Sequence, residues 1–168
     1  MKFHPLACHM EIKTVAVIGA GTMGAGIAQI CAQSGWNTNL FDAYPEGLEK
    51  GMKAIDAFWD KGIARGKTTL EQKIEWNSNL HPFLDMVEAV KDADMVIEAV
   101  PENLQIKARI FHVLGMETKD ECILGTNTSS LSITDIAAAS GKPGKVIGMH
   151  FFNPVPIMKL LELVKHDD

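Results

Sequence analysis

The chain has 168 residues, sixteen of them basic and twenty-one acidic, for a net charge of −5. This length suits a single domain that buries roughly 70% of its extended surface, and the charge balance leaves no basic stripe for nucleic acid or an anionic membrane. Three cysteines, Cys8, Cys31 and Cys122, show neither disulfide nor metal spacing and read as reduced thiols of a cytoplasmic protein.

The opening MKFHPLACHM holds His4, Cys8 and His9, but it precedes the first periodic segment and offers no fourth ligand. Residues 1–11 therefore read as a loose N-terminal extension, and no metal site is expected. No apolar stretch is long enough to span a bilayer. KTVAVIGA reads as a buried strand, TMGAGIAQICAQSG as a helix closed by Gly35, and WNTNLFDA as a second strand. A charged helix over Pro45 to Arg65 follows, with a second helical pattern through TLEQKIEW; together they exceed a plain crossover and form a helical excursion. A short third strand near NSNL and a fourth in DADMVIEAV come next. The remainder alternates: ENLQIKARIFHVLG a helix, ECILGTNTSS a strand and its turn, SITDIAAAS a helix, KVIGMH a strand. Strands apolar on both faces, alternating with helices, predict an α/β fold of the Rossmann type: a doubly wound, mostly parallel sheet covered on both sides.

Gly19-Ala20-Gly21-Thr22-Met23-Gly24 lies between the first strand and the first helix. Three glycines in a turn are a weak signal alone; strand, helix and a later acid give them meaning. Gly19 permits the tight turn, Gly21 lets a pyrophosphate approach the backbone, and Gly24 lets helix and strand pack closely, with the helix N-terminus facing the phosphates. Asp42 ends the second strand eighteen residues beyond Gly24, where a carboxylate accepts the ribose hydroxyls and repels a 2'-phosphate. NAD is thus favoured over NADP. The ends of three later strands, EAVPEN, TNTSS and HFFNP, are expected at the same sheet edge.

In HFFNPVPIMKLLELV a histidine ends an apolar strand, and Glu162 follows His150 by twelve residues. If the last segment is extended, both its faces look buried, so Glu162 needs a partner. Two prolines force the intervening FFNPVP to bend, and such a bend returns Glu162 toward His150. A carboxylate on one imidazole nitrogen fixes the tautomer and leaves the other nitrogen to exchange a proton with substrate. A structural salt bridge is the competing reading.

These motifs in this order, VIGAGTMGAGIAQ, VIEAVPENLQIK, TNTSSLSI and HFFNPVPIMKLLELV, resemble the N-terminal NAD-binding domain of the L-3-hydroxyacyl-CoA dehydrogenases, including the 3-hydroxybutyryl-CoA dehydrogenases. The resemblance implies NAD-dependent oxidation of (S)-3-hydroxyacyl-CoA to 3-oxoacyl-CoA, in fatty-acid β-oxidation or butanoate metabolism. It implies that Gly19, Gly21, Thr22, Met23, Gly24 and Asp42 hold the ADP half of NAD, and that Glu102, Lys107 and Asn153 contact its nicotinamide half. Ser129 would lie between cofactor and substrate, Asn127 would support that site, and His150 would be the base oriented by Glu162. Two family positions for coenzyme A fall near Phe58 and Arg65 and depart from its serine and lysine; Lys61 and Arg65 still offer positive charge to phosphates. The family continues into a helical domain that closes over the acyl chain and forms most of a homodimer interface. Residues 12–168 match only the NAD-binding domain, so the sequence reads as a fragment ending at the domain boundary. A non-catalytic NAD-binding module and another β-hydroxyacid dehydrogenase are the alternatives.

Overall fold

The computed structural model describes residues 10–166; His4, Cys8 and His9 lie outside them. Seven strands form one sheet in the order β3-β2-β1-β4-β5-β6-β7. β1 (Thr14–Ile18), β2 (Asn37–Phe41), β3 (Leu80–Phe83), β4 (Met95–Glu98), β5 (Ile123–Thr126) and β6 (Val146–Phe151) run parallel, and only β7 (Leu161–Val164) is antiparallel, against β6. The helices are α1 (Thr22–Gln33), α2 (Pro45–Ala64), α3 (Leu70–Ser78), α4 (Met86–Val90), α5 (Leu104–Glu117) and α6 (Ile133–Ser140).

Alternation within β1 shows why both faces are covered. Val15 and Val17 pack with Leu40, Ile55 and Trp59 in one core, while Ala16 and Ile18 pack with Val90, Phe111, Leu114 and Ile136 in the other. Burying each such aliphatic side chain contributes about 1.5–3 kcal/mol, and a strand apolar on both faces gains this only when helices lie above and below it. The excursion α2–α3 covers the first core. A capping box between Thr69 and Gln72 starts α3, which carries helix through Ser78, so that β3, expected near NSNL, begins at the last residue of that stretch, Leu80. Pro82 is tolerated in β3 because that strand is an edge of the sheet. Helix α4, begun by Asp85, whose side chain accepts the Glu88 amide, has no counterpart among the sequence expectations; five residues are too few for a periodic signal.

The expectation that β7 is buried on both faces is corrected. Leu161, Leu163 and Val164 are exposed, since β7 is the outermost strand of the sheet. Cys31 and Cys122 are buried free thiols, pushed up by burial to about 12 and about 11 respectively. Among the described residues no helix is long and apolar enough to cross a membrane, and no cluster of three or more His, Cys, Asp or Glu could hold a metal.

β4 is anchored at both ends by a carboxylate. At its start Asp94 Oδ2 accepts the Lys13 and Thr14 amides, each at 2.9 Å, and Oδ1 accepts Lys119 Nζ at 2.6 Å. Burial opposes the charged form, but the hydrogen bonds from Lys119, Thr14 and Lys13 outweigh it and hold Asp94 down at about 2. At the other end Glu98 and Lys107 are both fully buried and 2.8 Å apart. Glu98 Oε1 also accepts the Val100 amide at 2.7 Å, and Oε2 the Thr126 hydroxyl at 2.7 Å. Burial raises the pKa of Glu98, against the pull of the Lys107 charge and these donors.

Asp94→Asn should cost about 2 kcal/mol at neutral pH. A depressed folded pKa contributes above the ordinary carboxylate range and loses that contribution as pH falls toward 2, so the deficit should shrink below about pH 4. Urea unfolding across pH reads this, and a deficit that stays constant down to pH 2 contradicts it. Lys107→Met leaves a buried carboxylate without its cation and should cost about 3–5 kcal/mol, most of which Glu98→Leu in the same chain should restore. Equal instability of the single and double variants would count against the pairing.

Candidate functional site

The strand order reverses between β1 and β4, and in such sheets the crevice outside the carboxyl ends of the strands receives the ligand. Five strand ends open there. After β1, Gly19 takes φ +99°, a conformation that side chains disfavour, and a Cβ on Gly24 would sit 1.7 Å from the Gly19 carbonyl oxygen. α1 is thereby seated against the end of β1. Gly21 caps α1 without a side-chain bond and no acid occupies the first turn, so the first amides of the helix have no partner within it. A Cβ built on Gly21 meets nothing within 4 Å, an opening suited to an anionic group resting on the backbone.

Asp42 follows β2. Its Oδ2 accepts the Ala20 amide at 2.8 Å and its Oδ1 the Tyr44 amide at 2.9 Å, which fixes the carboxylate beside the glycine turn with lone pairs to spare for hydroxyls. Ala20, Gly21, Thr22, Asp42 and Asn153 border a groove of about 470 Å³. A second cleft of about 410 Å³ is lined by Met23, Glu102, Asn127, Ser129, His150 and Asn153. Asn153 belongs to both, so the two hollows adjoin across the start of α1. A dinucleotide fits this arrangement: donors for a pyrophosphate in the middle, a ribose acceptor on one side, and a cleft with a histidine on the other.

His150 stands opposite Glu162 in the β6–β7 register, and its Nδ1 lies 2.9 Å from Glu162 Oε2. The bend anticipated at FFNPVP contains a cis Asn153–Pro154 bond and a turn in which the Ile157 and Met158 amides both donate to the Pro154 carbonyl. The pair is therefore formed, but for a different reason from the one drawn from sequence. Glu162 is half exposed, 54% by side chain; strand register brings it to His150, not the cost of burying an unpaired charge. The Phe152 ring packs on the imidazole with centroids 4.5 Å apart, and Nε2 remains as the second proton site.

The other residues expected in the site divide. Asn127 Oδ1 accepts the Phe151 amide at 3.0 Å, locking the end of β5 to the residue after His150. Glu102 Oε1 accepts the Thr128 hydroxyl, the Ser129 amide at 3.2 Å and the Ser130 hydroxyl at 3.4 Å. Partial burial works to raise the Glu102 pKa, but the Thr128 hydroxyl, the Lys107 charge and the Ser129 amide hold it below the ordinary carboxylate range. Lys107 is completely enclosed: its ammonium donates to Glu98 at 2.8 Å and to the Asn127 carbonyl at 3.0 Å, and approaches the Val100 carbonyl and Glu102 at 3.4 Å each. Its place is beneath the cleft, tying the ends of β4 and β5, instead of on the cleft wall. Lys61 and Arg65 sit at the far end of α2, exposed and outside both hollows; the structure does not bring them to the site, whereas Phe58 lines the groove. Sequence reasoning passed over Glu98 and Thr128. Glu98 was legible as the one acid inside the apolar MVIEAV; Thr128, within a polar run, gave no such signal.

The sequence profile of the 3-hydroxyacyl-CoA dehydrogenase NAD binding domain matches residues 14–168. A probable 3-hydroxybutyryl-CoA dehydrogenase of Bacillus subtilis is 42% identical over 156 residues, which cover 93% of this chain and 54% of that protein. The 3-hydroxyadipyl-CoA dehydrogenase of Escherichia coli is 44% identical over 92% of this chain and 32% of its own length. The crystal structure of the (S)-3-hydroxybutyryl-CoA dehydrogenase PaaH1 from Ralstonia eutropha superposes with a TM-score of 0.90 at 38% identity, over 93% of this chain and 55% of that one. The chain thus spans about half the length of the B. subtilis relative. The glycine turn, the placed aspartate and the His150–Glu162 pair belong with that match over nearly the whole sequence: the chain is a member of the 3-hydroxyacyl-CoA dehydrogenase family, and what it comprises is the NAD-binding domain.

Proposed function

We propose that the chain forms the cofactor half of an enzyme that oxidises (S)-3-hydroxyacyl-CoA to 3-oxoacyl-CoA. The single observation that carries this is the 2.9 Å contact between His150 Nδ1 and Glu162, in a cleft that adjoins the glycine turn. NAD, when bound, supplies the acceptor for the hydride leaving the substrate carbon. The rest is done by side chains. His150 takes the hydroxyl proton at Nε2, and Glu162 stabilises the imidazolium that results while fixing the ring. The Ser129 hydroxyl, on the cleft wall, hydrogen-bonds the substrate oxygen and keeps it facing Nε2. Asn127 holds the backbone beside His150 in place, and Asn153 closes the junction of the two hollows on the nicotinamide side.

The domain runs over residues 12–168, after an N-terminal extension of residues 1–11. Ile157, Leu160, Leu161 and Leu163 are exposed along the last segment, and this apolar strip is the face on which an acyl-binding helical domain, and the homodimer it builds, would rest. Phosphates of coenzyme A would meet Lys61 and Arg65 only by reaching the far end of α2. Two buried free thiols fit a reducing, cytoplasmic setting.

Titration with NADH should saturate, and NADPH should bind at least about tenfold more weakly because Asp42 repels a 2'-phosphate. Asp42→Ala should narrow that ratio, as followed by nicotinamide fluorescence; absence of saturable binding at millimolar NADH defeats the reading. With this chain joined to the helical domain of a relative, His150→Ala should lower kcat for 3-hydroxybutyryl-CoA by about 10²–10⁴. Glu162→Gln, which keeps an acceptor but loses the charge, should fall less and shift the pH profile. An unchanged rate for His150→Ala removes it from its assigned role.

A further inference from the structure

The turn between β5 and α6 hangs on one hydroxyl. Thr128 is buried; its Oγ1 donates to Glu102 Oε1 and accepts the Leu131 amide at 3.0 Å and the Ser130 amide at 3.4 Å. The oxygen that receives it also accepts the Ser129 amide at 3.2 Å, and the other oxygen of the carboxylate lies 3.4 Å from the enclosed Lys107 ammonium. Ser129 is exposed to the cleft, flanked on both sides by these bonds. Its placement is therefore set by its neighbour.

The geometry points to Thr128 as a positioning residue: through Glu102 it holds Ser129 on the nicotinamide side of the cleft. This rests on the reading of that cleft given above. The bond to Glu102 is charge-assisted, which makes it stronger than a neutral one. A hydroxyl that donates to a carboxylate while accepting two amides is also polarised in one sense along the whole chain of bonds, so its loss releases the turn at three points together. Glu102 in this arrangement is a bracket between the β4 and β5 loops.

Thr128→Val keeps the shape and removes the hydroxyl; Thr128→Ser restores it. Hydrogen exchange without cofactor should show the Ser129 and Leu131 amides losing protection in Thr128→Val and regaining it in Thr128→Ser. NADH should bind Thr128→Val more weakly, by up to about tenfold, since the lost bond is internal to the protein and reaches the cofactor only through the placement of Ser129. ADP, which lacks the nicotinamide and its ribose and meets only the Asp42 side and the glycine turn, should bind all variants as it binds the parent. Unchanged amide protection, or unchanged NADH affinity in Thr128→Val, overturns the assignment. So does an equal loss for NADH and ADP, the mark of a merely structural role. Failure of the parent itself to bind NADH overturns the reading of the cleft together with it, and is told apart by the parent's own titration.

Discussion

A single ammonium group, that of Lys107, ties together the carboxyl ends of β4 and β5. It is enclosed with two carboxylates, Glu98 at 2.8 Å and Glu102 at 3.4 Å, and with the carbonyls of Val100 and Asn127. Removing such a charge from water costs several kcal/mol, and the attraction offsets that cost only when every donor finds a partner. Here two strand ends supply them: Glu98 and, two residues beyond it, Val100 at the end of β4, and Asn127 just after β5. The ion pair adds little net stability over an apolar replacement, so its value lies in specifying where two loops meet. The loops of Glu102 and Ser129 inherit their positions from it.

Parallel strands deliver side chains to a common edge but place one strand's last residue beside another's only through separate loops. A proton-transferring pair needs closer control. The reversal of β7 provides it, because residues directly opposite in an antiparallel pair have their Cβ atoms about 4.5–5.5 Å apart. His150 and Glu162 are such a pair, separated by a turn that the FFNPVP prolines keep from continuing the strand. One antiparallel strand at the end of a parallel sheet thus brings an imidazole and a carboxylate into a hydrogen-bonded dyad without any long-range loop having to be exact.

The sequence disclosed what periodicity and punctuation govern. Strand and helix order, the glycine turn with Asp42 and the return of Glu162 to His150 all follow from local rules of chain direction. It hid what depends on layer thickness and on hydrogen-bond direction. Leu161 and Leu163 look like core residues in one dimension, and only the strand order shows that no element of the described residues lies over them. Lys107 looks like a cleft residue because it shares a motif with Glu102, yet helix α5 turns it inward. Thr128 sits in a run of hydroxyls where nothing distinguishes the one that is buried.

The two halves of the site differ in how finished they are. The cofactor side offers backbone amides as donors and, as acceptor, a carboxylate already held by two amides of the chain at 2.8 and 2.9 Å. The dyad is formed as well, but its acid is half exposed, and full contact with water screens a charge pair to about a quarter of its strength within the protein, on the scale of effective dielectrics near 80 and 20. An imidazolium stabilised by Glu162 gains most when that water leaves. Covering β7 would then do two things with one contact: bury the exposed leucines, which favours the contact, and strengthen the attraction between Glu162 and a protonated His150. The apolar strip and the dyad are thus physically coupled, since what draws a covering surface onto the strip also dries the acid.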